Sequence, residues 1–216
     1  MIVLKVGGAA LKANREIALA GDDVCVVHGA GPQISHEMER AGIPVRFVDG
    51  RRVTTEAGLA VVRASYAAVN AAVCAAIGER ALPLFGDEIG LQAERVPELG
   101  YVGKALPSRP QPILDALAAG RIPVVAPLAE GPLNVNADDA AAALAIGLGA
   151  EKLLFLTDVD GLILDGAVVE SIPVRDAGDL LASGTLEGGI IPKLGAAVTA
   201  ARGGIDAWIG KTLVAA

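Results

Sequence analysis

The sequence predicts an α/β protein, a three-layer αβα sandwich with a mostly parallel central sheet. Short runs rich in Val, Ile and Leu alternate with segments whose apolar residues recur at helical spacing, which is the pattern of consecutive βαβ units. Two glycine clusters directly follow strand candidates, where α/β connections turn. At 216 residues and 53% apolar content, roughly 70% of the unfolded surface can be buried, enough for a core without disulfide or structural metal. No repeat, low-complexity tract or linker interrupts the chain, so one sheet with an N-terminal and a C-terminal half is expected.

The elements follow in order. Ile2–Val6 and Val24–His28 are strands, separated by a segment with room for a short helix over Arg15–Ala20. A helix begins at Pro32, since proline suits the first helical turn, with Ile34, Met38 and Ala41 on its apolar face and Gly42 closing it. Val45–Val48 reads as a strand, Thr55–Gly78 as a long Ala-rich helix and Ala81–Phe85 as a strand. Gly90–Ser108 breaks the rhythm with small extended pieces fit for a hairpin over one end of the sheet. Pro112–Ala119 and Asp138–Gly147 read as helices, Pro123–Pro127 and Lys152–Thr157 as strands. Asp165-Gly166 joins Leu162–Leu164 to Ala167–Val169 as a hairpin. A helix from Pro192 carries Leu194, Ala197, Val198 and Ala201 on one stripe.

Composition excludes several classes of function. The chain has 18 Lys+Arg against 25 Asp+Glu, a net charge of −7 and a pI near 4.9. With 3% aromatics and no basic stripe, nucleic acid is not an expected partner. Disorder is excluded by 20% charge beside 53% apolar residues. Mean hydropathy is +0.52, yet the apolar stretches around Ala67–Ile77 and Ala140–Ala150 are short and bounded by charge, so no membrane span is expected. The apolar start is broken at Lys5, unlike a signal peptide, and a cytoplasmic location is expected. Cys25 and Cys74 lack metal or redox spacing and read as buried thiols without a disulfide. Any anion must therefore be held by local arrangement, against the overall charge.

Several motifs supply such an arrangement. Lys5-Val6-Gly7-Gly8 and His28-Gly29-Ala30-Gly31-Pro32 leave strand ends, and the second enters a helix whose N-terminal N–H groups suit phosphate. Ile34 occupies the third glycine position of the dinucleotide fingerprint, and Gly210-Lys211-Thr212 lacks the upstream glycine of a P-loop, where Ile205 stands. Asn134-Val135-Asn136-Ala137-Asp138-Asp139 has more polar groups than one helix cap needs and leaves the carboxyl end of a strand, where ligands bind in open sheets. Lys193 sits just inside a helix start, where the macrodipole disfavours a cation unless an anion is near. Thr157-Asp158-Val159-Asp160-Gly161 lacks the glutamate of a calcium loop, with Val169 in its place. His28 reads as a hydrogen-bonded part of its turn, and neither it nor His36 belongs to a metal-spaced cluster. Of Arg51 and Arg52, one is placed to clamp a carboxylate.

Taken together these motifs, with Val48–Thr54, Gly100-Tyr101-Val102-Gly103 and Gly188–Lys193, resemble the amino acid kinase family, and within it the branch that phosphorylates N-acetyl-L-glutamate. They run in the family's order almost from end to end. The resemblance implies an ATP-dependent kinase, using Mg²⁺, that makes an acyl phosphate on the side-chain carboxylate of N-acetyl-L-glutamate in arginine biosynthesis. Its alternatives are a kinase for an α-aminoadipate derivative and a nucleotide or amino acid sensor without turnover. It implies that Lys5 and Lys193 flank the transferred phosphoryl group and that Asp138 holds both. Gly7, Gly8, Gly29, Ala30, Thr157, Asp158 and Gly161 would contact the nucleotide; Gly29, Ala30, Arg52 and Asn134 would contact the acyl amino acid. Ala30 stands where the family has a glycine, so its N–H serves only where the backbone angles suit a side chain. A lobe over about 1–130 would bind the acyl amino acid, and one over about 131–216 the nucleotide. The family also implies a homodimer. Because no added helix precedes the first strand, no inhibition by arginine is expected.

Overall fold

The computed structural model describes residues 1–7, 23–157 and 159–215. Gly8, Asp158 and the helix expected over Arg15–Ala20 lie outside the described residues. In chain order come β1 (Ile2–Val6), β2 (Val24–His28), α1 (Gly31–Arg40), β3 (Phe47–Val48), β4 (Arg51–Arg52), α2 (Glu56–Ile77) and β5 (Ala81–Phe85). A single turn, α3 (Gly86–Ile89), leads to β6 (Ala93–Arg95), β7 (Val102–Ala105), α4 (Gln111–Ala118), β8 (Ile122–Ala126), β9 (Leu128–Ala129) and β10 (Leu133–Val135). There follow α5 (Ala137–Leu148), β11 (Lys152–Leu156), β12 (Ile163–Leu164), β13 (Ala167–Val168) and β14 (Ser171–Pro173). The last elements are α6 (Val174–Ala182), α7 (Ile190–Arg202), β15 (Asp206–Ile209) and β16 (Thr212–Ala215).

Local chemistry sets the helix boundaries. The Thr55 hydroxyl accepts the Gly58 N–H at the start of α2, and Gly78 ends it at φ 92°. At α5 the Asn136 side-chain oxygen accepts the N–H groups of Asp138 and Asp139, and Gly149 closes the helix in the left-handed conformation. The stripe expected on the last helix is buried in α7, which starts two residues before Pro192 at Ile190.

The described residues form an eight-stranded main sheet in the order β14-β16-β15-β11-β1-β2-β8-β5. From β5 to β15 all neighbours are parallel; β16 runs antiparallel to β15, and β14 is parallel to β16. Alternation along the strands divides the core in two. Val3, Cys25, Val27, Val125, Leu153 and Phe155 pack with residues of α4, α5, α6 and α7. Leu4, Val6, Val24, Val26 and Val124 pack with residues of α1 and α2. Helices on both faces of a mostly parallel sheet give the three layers expected. The middle section does form a hairpin, β6–β7, but β7 also pairs with β10, making a second sheet in the order β6-β7-β10-β9.

The structure also departs from expectation. The strand over Val45–Val48 shrinks to Phe47–Val48, which pairs with Arg51–Arg52 across Asp49 and Gly50, both at positive φ. Cys25 is fully buried, and burial pushes its thiol up to about 12, whereas Cys74 is only half-buried. α6 was not anticipated, although Val174, Ala177, Leu180 and Leu181 have helical spacing and pack on the core. At 22 residues and a hydropathy of 1.6, α2 is long and apolar enough to cross a membrane by length and composition. Here it lies on the sheet, with Val62, Tyr66, Val69 and Val73 buried.

Gly100 fixes the seam between Thr54 and the second sheet. Its φ is +84°, an added Cβ would stand 2.4 Å from the Thr54 carbonyl oxygen, and that oxygen accepts the Tyr101 N–H at 2.8 Å. Gly100→Ala is expected to destabilise the fold by about 2 kcal/mol, lowering Tm by roughly 4–8 °C in a thermal melt.

Candidate active site

The register of the central strands gathers the glycine motifs. Val6 of β1 pairs with His28 of β2 on one side and Leu156 of β11 on the other. Gly7, Gly29 and Thr157 therefore leave three adjacent strands at the same end, the carboxyl edge where α/β sheets bind ligands. A cavity of about 270 Å³ opens there, lined among others by Lys5, Gly7, Gly29, Ala30, Arg52, Asn134, Asp138 and Lys193. Among the described residues, four cationic side chains, Lys5, Arg51, Arg52 and Lys193, face it with one carboxylate, Asp138. In a chain of net charge −7, this is a locally positive, anion-attracting site.

Asp138 organises its centre. Its Oδ1 lies 2.7 Å from the Lys5 Nζ and its Oδ2 lies 3.9 Å from the Lys193 Nζ. Lys5 and Asp138 each keep 7% of their side-chain surface in solvent and Lys193 keeps 18%. At 2.7 Å the Lys5 contact is a close, buried ion pair. Asp138 lies in the first turn of α5, where the helix dipole favours a carboxylate. Lys193 lies in the first turn of α7, where the dipole disfavours a cation, and the nearby carboxylate offsets this.

On the opposite wall the two arginines separate into different tasks. Arg51 pairs with Asp139 at 2.8 Å and so ties β4 to the start of α5. Burial raises the Asp139 pKa, with the Arg51 charge pulling it down. Arg52 donates to the Gly31 carbonyl at 2.9 Å and to the Ser35 hydroxyl at 2.8 Å. Its guanidinium carbon lies 4.6 Å from the centre of the Phe47 ring. Burial lowers its pKa from the usual value, yet a guanidinium stays charged. No carboxylate pairs with Arg52 among the described residues, so the guanidinium is held by neutral acceptors at the cavity wall.

The glycine-rich turn after β2 divides its N–H groups. Gly29 donates its own to the Val6 carbonyl at 3.1 Å, so that donor is already engaged. Ala30 is at φ −143°, ψ 28°, negative-φ backbone that accommodates a side chain, so an alanine fits at the position where the resemblance leads to a glycine. Among the described residues no side chain caps α1, so its first turn presents N–H donors beside the cavity.

Thr157 and Gly161 do not line this cavity. Thr157 follows the end of β11, beside the end of β1. Gly161 packs against β16: an added Cβ would approach the Thr212 Oγ1 to 2.5 Å, and that hydroxyl accepts the Leu162 N–H at 2.8 Å and donates to the Val169 carbonyl at 2.6 Å. Gly8 and Asp158 are outside the described residues. Tyr66, Phe47 and Thr54 were not singled out from the sequence. Tyr66 had a signal, a phenol on the Val62, Tyr66, Val69, Val73 stripe of α2, which hid it among core residues.

The profile described as the Amino acid kinase family matches residues 1–211. The chain belongs to the amino acid kinase family. The acetylglutamate kinase of Rubrobacter xylanophilus is 41% identical over 221 residues, spanning 96% of this chain and 87% of that protein. The acetylglutamate kinase of Methanopyrus kandleri is 40% identical over 225 residues, spanning 94% and 92%. A crystal structure from Streptococcus mutans superposes with a TM-score of 0.85 at 28% identity, over 99% of this chain and 98% of that one. Carbamate kinase from Giardia lamblia bound to AMP-PNP, at 16% identity and a TM-score of 0.69 over 96% and 90% of the two chains, shares the fold. The layered sheet described above is thus the amino acid kinase fold.

His28 packs behind the turn that carries Gly29, between Asn70 and Tyr66. It is fully buried. The Asn70 amide nitrogen lies 3.1 Å from its Nε2, and an amide NH₂ can only donate, so the ring proton sits on Nδ1, 3.5 Å from the Gly29 carbonyl. Burial lowers its pKa to about 4. Above the ordinary pKa of 6.5 the ring is neutral in both folded and unfolded chains. Below it the unfolded chain takes up a proton that the fold refuses until about pH 4. Urea unfolding should show His28 contributing a loss of up to about 3 kcal/mol between pH 6.5 and 4, with its imidazole NMR signals titrating near the bottom of that window.

Proposed function

We propose that this chain is an ATP-dependent kinase that transfers the γ-phosphoryl group to the side-chain carboxylate of N-acetyl-L-glutamate, the step that commits glutamate to arginine synthesis. The observation that carries the reading is the buried Asp138 carboxylate with an ammonium at each oxygen, Lys5 and Lys193, at the wall of an otherwise cationic cavity. Relatives about 40% identical over most of the chain bear the name acetylglutamate kinase.

The chemistry follows from what such a cavity can supply. A substrate carboxylate, with an ordinary pKa near 4.3, is ionised at pH 7 and needs no general base. The barrier lies in bringing two anions together and in the charge that builds on the transferred group, so catalysis is positioning and electrostatic stabilisation. Lys5 and Lys193 act as fixed cations on that group. Asp138 holds both ammonium groups oriented before the substrate arrives, so little reorganisation accompanies the reaction. Mg²⁺ would belong to the MgATP substrate, where its charge would offset that of the phosphates. Arg52 and Asn134 grip the non-reacting part of the acyl amino acid, while Ala30 and the open first turn of α1 offer N–H groups to oxygen anions. In this reading the half of the sheet built from β1, β2, β8 and β5 carries the acyl amino acid. The half built from β11, β15, β16 and β14 carries the nucleotide, with Thr157 and Gly161 toward its wall.

An acyl phosphate reacts with hydroxylamine to give a coloured hydroxamate. The expected result is hydroxamate with N-acetyl-L-glutamate, ATP and Mg²⁺ together, and none when any one is omitted. Nucleotide binding without product across a panel of acylated amino acids would overturn the reading in favour of a sensor. Lys193→Ala is expected to lower kcat by about 10²–10³-fold while the fold is retained. Near-normal turnover in that variant would remove the role given to Lys193 even if the activity stands.

A further inference from the structure

The geometry points to Tyr66 as the residue that orients Asn134 and sets the length of acyl amino acid the cavity accepts. This rests on the function proposed above and extends it to a side chain outside the motifs that carry the family resemblance. Tyr66 projects from α2 into the cavity wall beside Arg52 and Asn134, buried to 4% exposure, and is held edge-on by the His28 ring at 5.9 Å between centroids.

A directional chain of hydrogen bonds fixes what its hydroxyl does. The Thr54 hydroxyl donates to the Arg52 carbonyl at 2.8 Å, so toward Asn134 it can only accept, and it takes the Nδ2 hydrogen at 3.0 Å. The amide nitrogen of Asn134 must therefore face Thr54, and its oxygen faces Tyr66, whose hydroxyl donates at 3.4 Å. With both ends held by the protein, one amide hydrogen and one lone pair remain for a ligand. Without the phenol hydroxyl, the Thr54 contact alone among the described residues orients that amide.

The ring itself is bulk. It stands on the side of the cavity where the proposed reading puts the non-reacting end of the substrate, while the phosphoryl group is fixed by Lys5, Asp138 and Lys193. A substrate one methylene longer, such as an N-acetyl-α-aminoadipate, has to push its far end toward that ring. One methylene in a bounded pocket is worth about 10–200-fold in kcat/KM. Hydroxyl and ring thus have separable consequences, one for grip and one for length.

The test compares N-acetyl-L-glutamate with N-acetyl-L-α-aminoadipate in the hydroxamate assay for wild type, Tyr66→Phe and Tyr66→Leu, with N-acetyl-L-glutamate binding also followed by calorimetry. Wild type should favour the shorter substrate within that 10–200-fold range. Tyr66→Phe should keep the preference but raise KM and the calorimetric Kd for N-acetyl-L-glutamate about tenfold, with kcat changed little, since a grip on the non-reacting end is lost equally from ground and transition states. Tyr66→Leu should shift the preference at least about tenfold toward the longer substrate. KM for MgATP should be unchanged in both variants, a split that general loosening of the fold would not produce. An unchanged KM and Kd in Tyr66→Phe would overturn the orienting role, and an unchanged preference in Tyr66→Leu would overturn the length role. If wild type turns over neither substrate and calorimetry detects no N-acetyl-L-glutamate binding, the function itself fails. Turnover in wild type with unaltered variants refutes Tyr66 alone.

Discussion

A single carboxylate, Asp138, holds the candidate site together, and much of the fold around it. Lys5 emerges from the central strand of a sheet whose neighbouring positions are Val, Leu and Phe, and an ammonium there, 7% exposed, is tolerable only with an opposite charge beside it. Asp138 supplies that charge from the first turn of α5, stabilised by the helix dipole, and its second oxygen reaches Lys193 on α7. Three elements far apart in the chain meet at one group. Taking charges out of water is costly, and a buried pair returns that cost only when its geometry is good. Removing the carboxylate would leave two cations facing each other at the wall of a cavity already lined by Arg51 and Arg52, so the constraint serves architecture and proposed chemistry together.

The surplus of positive charge around this carboxylate reconciles an acidic protein with an anionic ligand. Net charge governs solubility and long-range steering, whereas binding depends on the field inside a low-dielectric recess. Here most of the acidic residues lie elsewhere, and Asp139, the one next in sequence, is spent on Arg51. Among the described residues that pairing leaves Arg52 as the guanidinium held by neutral acceptors. The same division explains why two adjacent arginines have different meanings. In the short β3–β4 hairpin, Arg51 reaches the Asp139 carboxylate at the start of α5 while Arg52 turns to the Gly31 carbonyl and the Ser35 hydroxyl of α1, although both line the cavity.

Periodicity and caps were readable residue by residue. β1, β2 and β5 lie where their Val, Leu and Ile runs put them, and α2 lies between the Thr55 cap and Gly78, because these signals are local. Signals weakened where strands were short. β3 is two residues long and held by its turn, so a run of apolar letters overstated it; α6 was overlooked because glycine and aspartates interrupt its stripe. At the candidate site, lysines, glycines and Asp138 stood out because charge or backbone freedom at a strand or helix end is conspicuous. Tyr66 did not, since a tyrosine on an apolar stripe reads as core until its hydroxyl is seen against Asn134. Gly161 packs closely on Thr212, a contact that its place in an Asp-Gly turn does not reveal.

What the sequence by itself determined is the set of local choices: where strands alternate with helices, which residues cap them, and which charged groups stand at their ends. Tertiary structure alone decided the pairings across roughly 20 to 190 positions. Lys5 reaches both Asp138 and Lys193 through one carboxylate, Arg51 rather than Arg52 takes Asp139, Asn134 faces Tyr66, and Gly29 spends its donor on β1. Backbone propensity and capping act within a few residues, whereas ion pairs and side-chain hydrogen bonds form only once sheet register has brought distant segments to a common edge.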